Sequence, residues 1–355
     1  MSRVFIALFI LYPFFFVSCV EMDFPTGDWV EKPPKSQGVN PDKLNQAIVY
    51  LADQCGEHKT DQVVVIRNGY MIWKGNDIDN IHNVWSCSKS FTSTVLGLFI
   101  DEHKCRLDTK AKDHVSSLQM KYPDVSLLHF ATMTSGYDAI GGAQTNTPYQ
   151  PEIPLYKAGS MYKYHDCAMN QFGNVLTRIA GEPIEELFTR KIADPIGMDT
   201  SYWDWHDWGY IDGLIVNGGA GNKGRGIHIS SRELARFGYL FLNRGNWDGK
   251  QLISSDWVDM ATTTQVDNSL PAFDSLDNSD PGTYGFNLWV NGIGPDRNRK
   301  WPSAPPGTYA ALGHNNNVCL IIPEWNMVIV RLGVDGDIPD DKWDNFLKMV
   351  SEAVD

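Results

Sequence analysis

Residues 86 to 89 read Ser-Cys-Ser-Lys, a hydroxyl and a primary amine three positions apart. Phe91, Val95 and Phe99 follow at the spacing of a helix buried along one face. Ser86 therefore stands at a helix start, with Lys89 one turn on and on the same side. The first N–H groups of a helix and its macrodipole stabilise negative charge developing on an oxygen, and an amine held out of water can take a hydroxyl proton near neutral pH. The pair suits nucleophilic attack on a carbonyl carbon. Taken alone, the same spacing fits a helix cap followed by a solvated lysine, so the rest of the chain must decide.

The elements that would position this pair are legible at both chain ends. Residues 63 to 73, VVVIRNGYMIW, are two short β-branched or aromatic runs around Asn68-Gly69, a dipeptide that favours the tight type I′ hairpin turn. Val318 to Ile322 and Met327 to Leu332 are further apolar runs, separated by Pro323-Glu324-Trp325-Asn326. One sheet drawing on both ends follows. Between them the pattern is helical: Ser230 with Glu233 reads as a capping box before Leu234, Phe237 and Leu240. Helices are also expected at 44 to 54, 167 to 180, 184 to 192 and 341 to 353. Stretches rich in Gly, Pro and Asn at 138 to 160, 209 to 226 and 265 to 308 read as long loops, which in a compact domain usually carry function.

With that order in hand, the chain resembles the serine β-lactamase and penicillin-binding-protein superfamily, in particular its class C β-lactamase-like esterase branch. Ser86 to Thr94, SCSKSFTST, is similar to that family's nucleophile helix, and Leu128 to Gly136, LHFATMTSG, to the segment before its first long loop. Tyr164-His165-Asp166 falls where the family carries Tyr-x-Asn or Tyr-x-Asp. Residues 195 to 200 and 231 to 237 resemble two further landmarks, and Gly313-His314 leads the stretch where the family has K-T-G or H-x-G.

The resemblance implies an α+β fold: a five-stranded antiparallel sheet packed on helices, with a mostly helical lobe inserted between the two sheet-forming segments. It also implies a mechanism in which Ser86 attacks, Lys89 and Tyr164 relay the proton, and an acyl-enzyme forms before water releases it. Tyr164 is then the expected base for that water. A phenol ordinarily ionises near pH 10, so this role asks for a neighbouring cation, and Lys89 is the candidate. The oxyanion would be held by the N–H of Ser86 and that of Asn317, with His314 and Asp166 beside the substrate. Residues 314 to 317 read His-Asn-Asn-Asn where the family usually has Gly after His, and Asn is the non-Gly residue that best tolerates left-handed backbone. A structural role for His314 within the sheet stays open.

Function classes narrow further on charge. With 355 residues and a formal net charge of −13, no Lys/Arg cluster marks a nucleic-acid or anionic-membrane partner, and the expected partner is a small ester, amide or peptide. No cofactor and no metal are expected, since the five cysteines beyond Cys19 (55, 87, 105, 167 and 319) form no C-x-x-C and no His pairing at zinc spacing. Their odd number leaves at least one thiol free. Trp203, Trp205, Trp208 and Tyr210 either wall an acyl pocket or pack a loop, with packing favoured.

His314 in place of Lys also weighs on the substrate, because an imidazole is mostly uncharged at neutral pH and greets a substrate carboxylate less well than an ammonium. Arg225, Arg299 or Lys300 could still supply charge from a loop. An esterase or amidase is thus read ahead of a D-amino-acid peptidase or a β-lactamase. From another class, a non-catalytic binder of cell-wall fragments would suit the altered Asn315-Asn316 turn but not an intact Ser86, Lys89 and Tyr164.

Finally, Arg3 followed by the fourteen apolar residues Val4 to Val17 reads as a signal peptide, too short for a bilayer span of about 20 residues. Ser18-Cys19 resembles a lipoprotein cleavage site, with Phe16 where Leu is preferred. Residues 1 to 19 are read as the signal and 20 to 355 as one hydrolase domain, exported to a periplasmic, lipid-anchored or secreted location, Cys19 being the possible anchor.

Overall fold

The computed structural model describes residues 23–57, 59–274, 281–336 and 338–354, so the segment read as a signal and the Cys19 position lie outside the described residues. Asn68 and Gly69 both adopt left-handed backbone (φ 56° and 85°), as a type I′ turn requires, and fold Val63–Arg67 against Tyr70–Lys74. On its other side Val63–Arg67 pairs with Met327–Arg331, which pairs in turn with Asn317–Ile322. Tyr309–Gly313 and Trp289–Val290 complete an antiparallel sheet of six strands. The expected five-stranded count is corrected by Trp289–Val290, a two-residue edge strand inside the segment read as a loop from 265 to 308. Two residues are too few to leave a periodic signal.

Side chains alternate across the sheet between two cores. Val64, Ile66, Cys319, Ile321, Val328 and Val330 face one; Val63, Val65, Leu320, Ile322 and Ile329 face the other. With both faces covered, the strands read as unbroken apolar runs rather than as alternating ones. The terminal helices Pro41–Gln54 and Asp340–Ala353 seal the second face, while Ser88–Asp101 and Ser231–Leu242 pack with the first. Each fully buried Val, Leu or Ile contributes about 1.5–3 kcal/mol to holding these layers together.

Helix starts follow their local chemistry. Asn40 caps the first helix by accepting from the N–H groups of Asp42 and Lys43, which begins it at Pro41 rather than 44. Ser230 caps Ser231–Leu242 by accepting from the Glu233 N–H at 3.4 Å. The helix expected at 184 to 192 is α-helical over Ile184–Phe188 and widens to a π turn over Thr189–Ala193.

The segment 209 to 226 is not one loop, because Asp207–Ile211 and Leu214–Asn217 form a hairpin whose turn, Asp212-Gly213, has φ of 44° and 88°. That Asp-Gly was a readable hairpin signal. Trp203 and Trp205 are core residues of a strand, Trp203–Trp205, paired with Ile227–Ile229, and Tyr210 is exposed. Ile227–Ile229 also pairs with His82–Asn83, which delivers the chain to Ser86. The five described cysteines are all free thiols.

Candidate active site

Ser86 lies in a 3₁₀ turn, Trp85–Cys87, that runs directly into the Ser88–Asp101 helix. The residue before it is held in an uncommon conformation: Trp85 has φ of 51°, which costs energy for a bulky side chain. Asn83 supports it, accepting the Trp85 N–H at 2.9 Å and donating to the Gly221 carbonyl at 2.9 Å. Gly221 must be glycine here, since a Cβ would sit 1.9 Å from the Trp85 carbonyl oxygen. Neither Asn83 nor Gly221 belongs to a motif, so sequence reasoning passed over both.

Lys89 is almost wholly buried and its Nζ meets three acceptors: Ser86 Oγ at 2.6 Å, Asp166 Oδ1 at 2.8 Å and the Ala220 carbonyl at 3.2 Å. Three acceptors match the three N–H bonds of an ammonium. Asp166 is the first residue of the Asp166–Ala180 helix, where a carboxylate is favoured by the helix dipole, and its second oxygen accepts from Gln144 Nε2 at 2.7 Å. Lys89 Nζ also stands 4.6 Å from the Tyr164 ring centroid, and the Ser86 hydroxyl acts on the Tyr164 phenol. Ser86, Lys89, Tyr164 and Asp166 thus converge, as the sequence spacing and the resemblance expected.

One expected detail runs against the surroundings of the phenol. At Tyr164, burial, and then the Asp166 carboxylate, push the phenol well above its ordinary value, outweighing the Ser86 hydroxyl that acts the other way. The Lys89 charge is answered by Asp166, and the phenol stays protonated. Trp289 stacks on Tyr164 with centroids 5.6 Å apart, and Tyr284 meets both edge-on.

On the other flank of Ser86 stands the turn from Gly313 to Asn317. Gly313 packs against the nucleophile turn so closely that a Cβ would lie 2.1 Å from the Val84 carbonyl. His314 is exposed and its ring meets Trp85 edge-on at 5.1 Å, so it is not a histidine buried within the sheet. Asn315 and Asn316 both take left-handed backbone, with φ of 61° and 56°. Asn317 corrects a second expectation: its N–H closes the turn on the His314 carbonyl, and its side chain bridges His314 O at 2.6 Å and the Gly333 N–H at 3.1 Å. That N–H is committed to the turn rather than offered to an oxyanion.

The loop cations divide. Arg299 donates to the Asn291 carbonyl at 2.7 Å, and Lys300 pairs with Asp340 at 2.8 Å while lying against Trp289, whereas Arg225 is exposed. Behind Tyr164 and Asp166, Asp138 Oδ1 contacts His165 Nε2 at 3.0 Å, Cys167 Sγ at 3.5 Å and the Ala139 N–H at 2.9 Å. These donor atoms are close enough together for a metal, but they already satisfy one another. Burial pushes the Cys167 thiol up and the His165 imidazole down, so the thiolate a metal would need is disfavoured. The group reads as a brace for the residues on either side of it.

The sequence model of the β-lactamase family matches residues 51–334, which include the whole constellation. The chain belongs to the β-lactamase family. Membership makes it a serine hydrolase. An uncharacterised protein of Alkalihalophilus pseudofirmus is 21% identical over 270 residues, covering 71% of this chain and 73% of its own length. Among solved structures, a Bacillus anthracis protein provisionally assigned as a 6-aminohexanoate-dimer hydrolase superposes with a TM-score of 0.66 at 16% identity, over 94% of this chain and 90% of that one. EstCE1, a hydrolase with promiscuous acyltransferase activity, gives 0.63 at 14% identity over 88% and 98% of the two chains. At such identities these two likenesses speak for the fold.

Proposed function

We propose that this member of the β-lactamase family hydrolyses an ester or amide of an uncharged acyl group through an acyl-enzyme on Ser86. The observation that carries the reading is the 2.6 Å contact between Lys89 Nζ and Ser86 Oγ, with the Tyr164 ring 4.6 Å from the same Nζ. Ser86 Oγ forms the new bond to the carbonyl carbon while its proton passes to the Tyr164 oxygen, and the phenol gives its own proton to the leaving group. Such a concerted exchange never requires free phenolate, in keeping with the raised Tyr164. Lys89, held by Asp166, stabilises the negative charge that grows on Ser86 Oγ. Water then reverses the exchange: its oxygen attacks the acyl carbon, its proton goes to Tyr164, and the phenol proton returns to Ser86.

The uncharged substrate follows from the flank of His314, where Arg299 and Lys300 are engaged elsewhere. A D-amino-acid peptidase or β-lactamase would want a cation there for the substrate carboxylate. The EstCE1 and 6-aminohexanoate-dimer hydrolase likenesses are compatible with ester or linear-amide chemistry. The reading is tested by a panel of short acyl esters, linear amides, D-Ala-D-Ala peptides and a chromogenic cephalosporin, alongside fluorophosphonate labelling. The label is expected on Ser86 and absent from Ser86→Ala. A label on Ser88 or Ser135 instead, or hydrolysis that survives in Ser86→Ala, overturns it. The reading includes export directed by residues 1 to 19, which intact mass of the native protein checks: a retained Met1 rules export out.

A further inference from the structure

Arg331 is fully buried at the end of Met327–Arg331, and it faces away from the nucleophile. Its register partner Val63 belongs to the core under the two terminal helices, whereas Val84 and Cys87 belong to the opposite core. The turn from Gly313 to Asn317 touches both, the guanidinium through Asn315 and Asn316 and the nucleophile turn through Gly313, His314 and Asn317. Arg331 Nη1 donates to the carbonyls of Asn315 at 2.5 Å and Asn316 at 3.2 Å, and is tied back to the Asp335 carbonyl at 3.3 Å. Trp343 Nε1 adds a bond to Asn316 Oδ1 at 3.2 Å. Beside the turn is a cavity of ≈ 120 Å³ bordered by Trp301, Leu312, Gly313, Asn316 and Trp343, so apolar packing supports it incompletely there.

The turn in turn grips the nucleophile from both sides. Gly313 abuts the Val84 carbonyl, His314 meets the Trp85 ring, and the Asn317 carbonyl accepts from Cys87 Sγ at 3.4 Å. Moving it therefore moves one wall of the Ser86 site. In a trans peptide the C=O and N–H point in opposite directions. With the Asn315 carbonyl on Arg331, the Asn316 N–H points away from the guanidinium.

We propose that Arg331 is a positioning residue for the oxyanion site: by gathering the Asn315 and Asn316 carbonyls it holds two left-handed asparagines in place of glycine and presents the Asn316 N–H towards Ser86. Two left-handed non-glycine residues in a row are costly. Hydrogen bonds to a charged donor are among the stronger ones that can offset such a cost. The altered turn is then a differently braced oxyanion wall and not a sign of lost chemistry. This inference rests on the Ser86 reading above.

The test is steady-state hydrolysis of p-nitrophenyl butyrate by Arg331→Lys, with active sites counted by fluorophosphonate and thermal midpoints measured in parallel. A lysine cannot bond both carbonyls and Asp335 as the fork does, so kcat per active site should fall at least about tenfold while KM moves less than about threefold, the pattern of a donor felt in the transition state. A merely structural arginine would lower the midpoint and leave kcat per labelled site unchanged, and that result overturns the proposal. In Arg331→Ala, guanidinium at tens of millimolar should restore part of kcat. Should neither variant fold, Arg331→Gln decides: its uncharged amide cannot gather both carbonyls as the guanidinium does. A twofold or larger loss of kcat supports the proposal, and wild-type kcat overturns it. Ser86→Ala is run beside them, since hydrolysis persisting there refutes the Ser86 reading itself, while hydrolysis lost there and kept in the Arg331 variants refutes only the positioning role.

Discussion

The two flanks of Ser86 are built on different principles. On the proton-transfer flank, Lys89, Asp166 and Tyr164 are side chains on helix starts, each fixed by direct contact with the next. On the flank proposed for the oxyanion the surface is backbone, and groups behind it, Arg331 and Trp343, hold Asn315 and Asn316. Side-chain chemistry is specified by residue identity, so the first flank tolerates little substitution. Backbone presentation can be achieved by several sequences, so the second can lose its glycine and keep its form.

That contrast is sharpest for the buried cation. Lys89→Met should lower kcat/KM by at least about 10³-fold and also lower the thermal midpoint, because Asp166 is left largely buried without its partner. A loss under tenfold in kinetics per labelled site would break the assignment. Tyr164→Phe should cost about 10²-fold in kcat. Since burial and Asp166 raise Tyr164 well above 10, the phenol is protonated at all lower pH. Its burial as a neutral group favours the folded state in full below about pH 10, and that contribution is lost as pH rises beyond it. The wild-type rate should accordingly show no rising limb between about pH 8 and 10 that Tyr164→Phe abolishes. Finding one would replace the concerted exchange with a phenolate base.

Effects on the other flank should be smaller. His314→Lys adds a permanent cation beside Trp85. Wild type should prefer a short neutral ester over a carboxylate-bearing cephalosporin by at least about tenfold in kcat/KM, about 1.4 kcal/mol, and the variant should narrow that gap. A wild type that turns over the cephalosporin faster returns the protein to the β-lactamases proper. Smallest is the turn itself: Asn315→Ala should lose about 1–2 kcal/mol of stability, whereas Asn315→Gly should be close to neutral, because only alanine resists φ of 61° without compensation. Equal midpoints for the two would mean the turn relaxes to another conformation.

Legibility followed the same division. The nucleophile and its lysine could be read from three residues of helical spacing, and Tyr164 and Asp166 from the order of landmarks. The Asn68-Gly69 hairpin was read, while the equivalent signal at Asp212-Gly213 was passed over because the surrounding stretch is rich in glycine. Trp289–Val290 was beyond reading, and so was the grouping of Asn83, Gly221 and Trp85, which depends on segments far apart in the chain. The expectation for Asn317 failed because a motif position says which residue stands in a turn, not where its N–H points.

What the sequence determined by itself was local: which residues form strands and helices, which carry nucleophilic and acid–base groups, and the single hairpin turn that opens the sheet. Those depend on side-chain type and on spacings of a few residues. The tertiary structure decided how these groups act on one another. It buried Tyr164 and placed Asp166 on Lys89 beside it, which keeps the phenol protonated, and it set Arg331 behind a turn of asparagines. Each of these outcomes depends on burial and on distances between residues far apart in the chain, and charges and peptide dipoles take their strength from such surroundings and not from the residues alone.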